Sequence, residues 1–209
     1  MEFKKGSLVT ILGSRGTGKT YLLREIIKST KSDAVVFDTI GAIGHVKNVR
    51  TYKFDPKQQF NQQIQILSQI IQKTNRNIGI NLSECTQAEI VKFSDALLKI
   101  TPMDYKVCFY DEFHDYASEN VQFSAEVERI ARHGRNFGTT IFLDSQRPQT
   151  IKKNVLDLSS HLIVFRLNFK NELDVLKNLL NNIKVDNVNE ELSQIALQKV
   201  GQYKLYSLA

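Results

Sequence analysis

Residues 13–20 combine the residue types that bind a phosphate chain. Gly13, Gly16 and Gly18 precede Lys19 and Thr20, so the run matches Gly-x-x-x-x-Gly-Lys-Thr. The glycines let backbone N–H groups turn toward phosphate oxygens, and a helix starting near Lys19 would add its free N–H groups and positive dipole end. Lys19 would reach the β- and γ-phosphates, and the Thr20 hydroxyl would bind Mg²⁺.

The flanking segments position this run as the chemistry requires. Leu8–Leu12 is an apolar, strand-like run, and Lys19–Ser29 has helical periodicity. A chance glycine-rich turn would need neither neighbour, so we interpret the run as a phosphate-binding loop. The other predicted nucleotide-binding residues lie in the loop or just after it: Ser14, Arg15, Thr17 and Tyr21.

A second pair of reactive residues follows the apolar run KVCFY. Asp111 and Glu112 would stand at the carboxyl end of a parallel strand, where such sheets bind ligands. Asp111 would hold Mg²⁺, directly or through water, and Glu112 would act as general base toward the attacking water. Alone, the pair would read as a solvated strand end. His114 and Asp115 are predicted as loop residues without a role.

The segment ERIARHGRNFGTTIFLDSQRP supplies further polar groups. Three arginines recur every three residues near a predicted helix end: Arg129, Arg132 and Arg135. They could form a solvated helix face, contact DNA phosphates or supply a catalytic group. Gln146 stands at the carboxyl end of a predicted strand. From there its amide could hydrogen-bond the γ-phosphate or the lytic water.

Strand-like runs alternate with helical periodicity along most of the chain. The predicted strands are 8–12, 34–38, 49–54, 78–82, 106–111, 139–145, 161–167 and an edge strand at 202–208. The predicted helices are 19–29, 58–73, 86–100, 122–135, 150–156 and 171–181. This order predicts one α/β domain over 1–209, a P-loop NTPase (RecA-like) with a mostly parallel central sheet flanked by helices.

Composition sets outer bounds on the function. The 209 residues carry a net charge of +6, with 42% apolar and 24% charged residues, as in ordinary soluble proteins. Cys85 and Cys108 have no metal spacing, nor have the four histidines, so we expect a reduced, cytoplasmic setting and no metal beyond Mg²⁺. No apolar run approaches the roughly 20 residues that span a bilayer.

The motifs together resemble those of the FtsK–HerA superfamily of DNA-pumping ATPases. The resemblance covers GSRGTGKT, the Asp-Glu strand, ARHGRNFGTTIFLDSQRP and NVLDLSSHLIVFRL, in the family's order, over a motor core of about 7–167. It implies ATP and Mg²⁺ as ligands, double-stranded DNA as cargo and a homo-oligomeric ring, hexameric or pentameric. So short a chain is most similar to viral genome-packaging ATPases, which implies capsid or membrane portal partners and a place in the host cytoplasm or the virion.

The resemblance also assigns roles by position. Lys19 and Thr20 fall on the phosphate-loop residues, Asp111 and Glu112 on the Mg²⁺ and water-activating carboxylates, and Gln146 on the sensor glutamine. The family's catalytic arginine comes from a neighbouring subunit, and Arg135 is the first candidate for it, ahead of Arg132 and Arg129. Asp144 departs from the pattern, which has a small apolar residue there. Residues 168–209 form an extension that either packs on the core or forms the subunit interface.

DNA contacts are expected where basic residues concentrate. Residues 122–153 hold six basic and three acidic residues, a net charge of +3. Lys152 and Lys153 in this stretch, and the loop 39–48 with His45 and Lys47, are pore candidates, although ordinary solvated lysines would look the same.

Two other functions remain open. One is an ATPase motor for virion assembly or secretion with protein cargo. The other is a nucleotide-dependent binding switch, against which Glu112 and Gln146 argue, because a switch needs no strong water activator.

Overall fold

The computed structural model describes residues 3–31, 33–117, 124–151 and 153–208, with the backbone alone at 117 and 154. The strands are β1 (Leu8–Leu12), β2 (Ala34–Asp38), β3 (Val49–Lys53), β4 (Asn77–Asn81), β5 (Val107–Tyr110), β6 (Thr140–Ser145), β7 (His161–Phe165) and β8 (Tyr203–Ser207). The helices are α1 (Lys19–Ser29), α2 (Phe60–Lys73), α3 (Gln87–Ile100), α4 (His114–Ala117), α5 (Ala125–His133), α6 (Lys153–Leu156), α7 (Lys170–Asn182) and α8 (Val188–Ala196). Short 3₁₀ turns occupy Gly134–Phe137 and Pro148–Thr150.

The strands form one sheet in the order β3-β4-β2-β5-β6-β1-β7-β8. All neighbouring strands are parallel except β7 and β8, which pair antiparallel. Strands β1 and β2 are buried along their whole length, as strands covered on both faces must be. The predicted P-loop α/β fold, its mostly parallel sheet and its C-terminal edge strand are therefore confirmed.

Two apolar layers cover the sheet. On one face α1 packs through Leu23 and Ile27 against Val9, Ile11 and Phe142. On the other face lie the buried side chains of α2, α3, α5, α7 and α8. The carboxyl ends of the parallel strands share one edge of the sheet, and the loops that follow β1, β2, β5 and β6 meet there.

Most local predictions agree with these elements to within two residues. The Thr86 hydroxyl and Glu89 form the expected capping box at the start of α3. The predicted helix 122–135 is shorter, because Ser124 caps α5 and the chain tightens into a 3₁₀ turn at Gly134. Residues 122, 123 and 152 of these predictions lie outside the described residues.

Two expectations about local structure were wrong or incomplete. His114 and Asp115, expected in a loop, begin the short helix α4. The cause is the sharp turn at Glu112, which brings the chain back so that the Asp115 N–H donates to the Glu112 carbonyl at 2.8 Å. Helix α8 was not placed from the sequence.

Candidate active site

The phosphate-binding run forms a tight loop between β1 and α1. Gly16 and Gly18 have φ of +77° and +111°, in the left-handed region that favours glycine. Gly13 is required for another reason: a Cβ there would approach the Phe165 Cβ to 2.6 Å. The loop can therefore pass close under β7 and turn its amides inward only with glycine at these places.

A buried carboxylate from a distant part of the chain holds this loop. Glu172 in the first turn of α7 accepts a hydrogen bond from the Ser14 hydroxyl at 2.9 Å. The same carboxylate accepts from the amides of Asn168 and Phe169. The Ser14 N–H donates to the Arg166 carbonyl at 2.9 Å, so loop and β7 are joined by backbone as well. Sequence reasoning did not find Glu172, which lies 158 residues from Ser14.

The turn before β8 also contacts the loop. The Gly201 N–H donates to the Thr17 carbonyl at 2.9 Å, and a Cβ on Gly18 would lie 3.2 Å from the Gly201 Cα. The Phe165 and Tyr203 rings pack beside this contact with centroids 5.2 Å apart. The C-terminal strand is thus part of the wall of the candidate site.

The residues predicted to bind nucleotide differ in exposure. Lys19 is buried, and its Nζ donates to the Ser14 carbonyl at 3.3 Å. Thr20 is half-buried at the first turn of α1, Arg15 is exposed, and Tyr21 is 69% exposed. The Thr17 hydroxyl donates to the Ser14 carbonyl at 2.8 Å and so braces the loop internally.

Asp111 lies at the same edge of the sheet, at the end of β5. Strand β6 separates β5 from β1, so Asp111 is two strands from the phosphate loop. It is 1% exposed, and neither carboxylate oxygen has a hydrogen-bond partner among the described residues. Burial, followed by the nearby carboxylates of Asp144 and Asp38, raises the pKa of Asp111 to about 9, while the Lys19 ammonium opposes that shift.

Glu112 and Gln146 meet where β5 and β6 end. Glu112 has φ of +48°, an uncommon conformation for a residue with a Cβ, and it turns the side chain toward β6. The Gln146 side-chain amide donates to Glu112 Oε1, and the Gln146 backbone N–H donates to Oε2 at 3.4 Å. The structure therefore brings the predicted base and the predicted sensor residue into direct contact.

His114 is a neighbour of this pair that sequence reasoning left without a role. Its Nδ1 lies 3.2 Å from Glu112 Oε2 and 3.4 Å from the Ser145 hydroxyl oxygen. Its Nε2 lies 3.6 Å from Asp115 Oδ1. The only signal in the sequence was its position two residues after Glu112.

The three arginines of the predicted helix end lie away from the chain's own site. Arg129 pairs with Glu126 at 2.7 Å and Arg132 with Glu128 at 2.5 Å, both on the exposed surface of α5. Arg135 is exposed and lies beside Gly6, at the amino end of β1. The phosphate loop follows the other end of β1, about 16 Å away at 3.3 Å per strand residue. Arg135 therefore does not reach the phosphate loop of its own chain.

The remaining basic residues divide between the two edges of the sheet. Arg147 is exposed just beyond β6, at the carboxyl edge, and Lys153 is exposed at the start of α6. The loop 39–48 starts at the same edge, where the Asp38 carboxylate accepts from the amides of Ala42 and Ile43 at 3.0 and 2.8 Å. It ends at the opposite edge, where the parallel strand β3 begins and the Asn48 side-chain amide donates to the Thr30 carbonyl at 3.2 Å. His45 and Lys47 are exposed on this loop, whereas Lys152 lies outside the described residues.

These residues fit a magnesium–nucleotide complex. Asp111 supplies two buried oxygens without donors in the described structure, the groups that a hard divalent cation accepts. Within the described ranges no three His, Cys, Asp or Glu side chains form a metal site by themselves. Mg²⁺ would therefore need the Thr20 hydroxyl, phosphate oxygens and water as well, which is its usual arrangement in nucleotide sites.

Comparison with solved structures finds the same fold elsewhere. The genome packaging NTPase B204 from Sulfolobus turreted icosahedral virus 2, in complex with AMPPCP, superposes with a TM-score of 0.67 and 14% identity, over 99% of this chain and 94% of that one. B204 of Sulfolobus Turreted Icosahedral Virus, described as a DNA-packaging ATPase, gives 0.62 and 14%, again over 99% and 94%. EssC (ATPases 2 and 3) from Geobacillus thermodenitrificans gives 0.50 and 16%, over 78% of this chain and 33% of that one.

At these identities the comparisons establish the fold. They show that the chain has the fold of these P-loop ATPase structures. No protein-family model and no curated protein sequence matches the chain. In the described part of the chain no helix is long and apolar enough to cross a membrane.

Proposed function

We propose that this protein is an ATPase that moves double-stranded DNA, as a genome-packaging motor acting in a ring. The observation that carries the proposal is the contact between Glu112 and Gln146 at the strand edge that also holds the phosphate loop and Asp111. The full-length likeness to a viral genome packaging NTPase supports the packaging role.

Binding and hydrolysis divide among residues of this edge. The amides of 13–20 and the Lys19 ammonium would hold the phosphates, and Thr20 and Asp111 would hold Mg²⁺, which neutralises phosphate charge when bound. Glu112 would take the proton of the water that attacks the γ-phosphorus, while ADP departs. Gln146 would orient this water and the Glu112 carboxylate together.

The position of Arg135 supports the proposed ring. An arginine that stabilises the transferring phosphoryl group raises the rate about 10³- to 10⁵-fold in well-studied enzymes. Arg135 lies near the amino end of β1, away from the phosphate loop of its own chain, so it would complete the site of a neighbouring subunit. The site of one chain is then incomplete without a second copy.

DNA would lie against exposed basic groups in the segments that follow β6 and β2, namely Arg147, Lys153 and the loop 39–48 with His45 and Lys47. These groups are exposed and, within the described ranges, are not held in ion pairs like those that occupy Arg129 and Arg132. Contacts of this kind go to phosphates, so they are independent of sequence and weaken as salt rises.

ATP hydrolysis with and without double-stranded DNA, at two salt concentrations, tests the proposal. We expect DNA to stimulate hydrolysis at low salt and the stimulation to fade at high salt. A strict monomer whose hydrolysis ignores DNA at both salt concentrations would overturn the DNA motor. Such a result would leave the ATPase site in place and favour a motor with protein cargo.

A further inference from the structure

Three aspartates stand in a row across neighbouring strands. Phe37, Tyr110 and Leu143 are register partners on β2, β5 and β6. The next residue on each strand is an aspartate, so Asp38, Asp111 and Asp144 follow at one level, about 4.8 Å apart from strand to strand. Alternation along the strands puts all three on the face that α1 covers, the face of Val36, Phe109 and Phe142.

The three carboxylates differ in how they are satisfied. Both oxygens of Asp38 accept backbone amides of the loop 39–48. Among the described residues neither oxygen of Asp111 has a partner, and Asp144, also 1% exposed, has Oδ1 without one. A buried carboxylate without donors is strongly unfavourable unless it is neutralised, so two of them side by side need an explanation.

The Lys19 ammonium provides part of that explanation. Lys19 begins α1 over this face, and its ammonium lowers the pKa of both Asp111 and Asp144 against the larger opposing effect of burial. Lys19 forms no ion pair with either carboxylate within 4.0 Å in the described structure, where its Nζ donates to the Ser14 carbonyl. A cation beside both carboxylates would neutralise the negative charge that Lys19 leaves unpaired.

We propose that Asp144 is a second carboxylate ligand, next to Asp111, for the divalent cation that accompanies the nucleotide. This inference rests on the proposed function, because the cation also needs phosphate oxygens. Nucleotide-bound Mg²⁺ is commonly held by one or two carboxylates plus phosphates and water, and the pair supplies two. Asp38 is excluded from this role because its oxygens are already occupied.

Mn²⁺ binding in the presence of ADP, followed by electron paramagnetic resonance, tests the assignment without relying on turnover. Asp144→Asn is expected to weaken Mn²⁺ binding on the order of 10- to 100-fold. Asp38→Asn is the matched control, because it removes the same charge one strand from Asp111 on the other side. We expect it to weaken binding much less than Asp144→Asn.

A thiolate at position 144 gives a second test, because a thiolate-to-metal band requires direct contact with the metal and does not arise from charge alone. Asp144→Cys is expected to bind Cd²⁺ in the presence of ADP with an ultraviolet thiolate-to-metal band. Ser145→Cys places a thiol one residue along the strand, toward the opposite face, and should give no band beyond the wild-type protein, whose own thiols are Cys85 and Cys108.

The outcomes separate this inference from the proposed function. If the wild-type protein binds no Mn²⁺ with ADP, the nucleotide site itself fails. If it binds, but Asp144→Asn and Asp38→Asn weaken it equally or not at all and Asp144→Cys gives no thiolate-to-metal band, only the role of Asp144 is overturned. Asp144→Ala replaces Asp144→Asn if the amide variant does not fold.

Discussion

At the residue scale, Glu112 is held in place at a cost to the backbone. Its left-handed φ of +48° is strained for a side chain with a Cβ, and such strain persists only where the surroundings impose it. The surroundings here are the Gln146 amide, the His114 ring and the turn that starts α4. The result is a buried carboxylate at the strand edge, aimed at its partners before any ligand arrives.

The first prediction concerns this carboxylate. Glu112→Gln should lower the ATP hydrolysis rate by about 10²–10⁴, the usual contribution of a positioned general base. ADP and ATP affinity should change little, because the amide keeps an acceptor for Gln146. Steady-state hydrolysis and nucleotide titration measure the two quantities. Glu84→Gln, an exposed change, serves as the control, and unchanged hydrolysis in Glu112→Gln would show that Glu112 is not the base.

The sequence predicted those residues whose chemistry depends on local spacing. Lys19 and Thr20 follow the glycines of one short run, and Asp111 and Glu112 end one apolar strand. Glu172 could not be found this way, because its contact with Ser14 joins residues far apart in the chain. An acidic residue in the first turn of a helix is also favoured by the helix dipole alone, so its type gave no sign of the contact.

At the element scale, α7 and the phosphate loop depend on one another through Glu172. We predict that Glu172→Ala lowers the free energy of unfolding by about 1–3 kcal/mol, because the buried Ser14 hydroxyl and two partly buried backbone amides lose this acceptor. ADP affinity should fall as well, since Ser14 loses its anchor. Urea unfolding and ADP titration measure these effects.

Asp174→Asn provides the matched control for this change. Asp174 lies on the same helix but is more exposed than the buried Glu172, so its substitution should alter neither stability nor ADP affinity. Equal effects of the two variants would contradict the anchoring role of Glu172.

A second element-scale prediction concerns α8 and β8. Glu191 on α8 accepts from Lys204 Nζ at 2.6 Å and from the Tyr206 hydroxyl at 2.7 Å on β8, and these bonds lower the pKa of its carboxyl group. A lowered folded-state pKa adds stability above the ordinary glutamate value of about 4.3, and that stability is lost as pH falls through the folded-state pKa. Glu191→Gln should therefore cost about 1 kcal/mol at pH 7 and nearly nothing at the acidic end.

Unfolding free energies across this pH range test the prediction. Glu190→Gln, the neighbouring change on α8, should leave the pH dependence of the wild-type protein intact. A difference between Glu191→Gln and the wild-type protein that persists at the acidic end, below the folded-state pKa, would contradict the assignment.

The strands and helices show why the sheet was easier to predict than the C-terminal helix α8. Buried parallel strands such as β1 and β2 are continuous apolar runs, and the helices between them have a clear apolar period. Helix α8 is short and buries only Ile195 fully, and Asn187 before it adopts φ of +52°. Its packing on β8 depends on tertiary contacts that no local pattern records.

At the scale of the whole molecule, the proposed motor requires subunits to complete one another's sites. We predict that Arg135→Ala and Glu112→Gln are each inactive alone, whereas their mixture regains hydrolysis. If the two variants are mixed in equal amounts and assemble at random, roughly a quarter of the subunit interfaces would pair an intact site with an intact arginine. Arg132→Ala in place of Arg135→Ala is the control, because Arg132 is paired with Glu128 within its own helix. A mixture as inactive as its components would contradict the shared site.

The most direct measurement is displacement of a triplex-forming oligonucleotide from double-stranded DNA by the purified protein. We expect displacement with ATP, none with a non-hydrolysable ATP analogue, and none with Glu112→Gln even though this variant binds nucleotide. Rapid ATP hydrolysis by the wild-type protein on the same DNA with the third strand left in place would contradict a DNA-translocating motor.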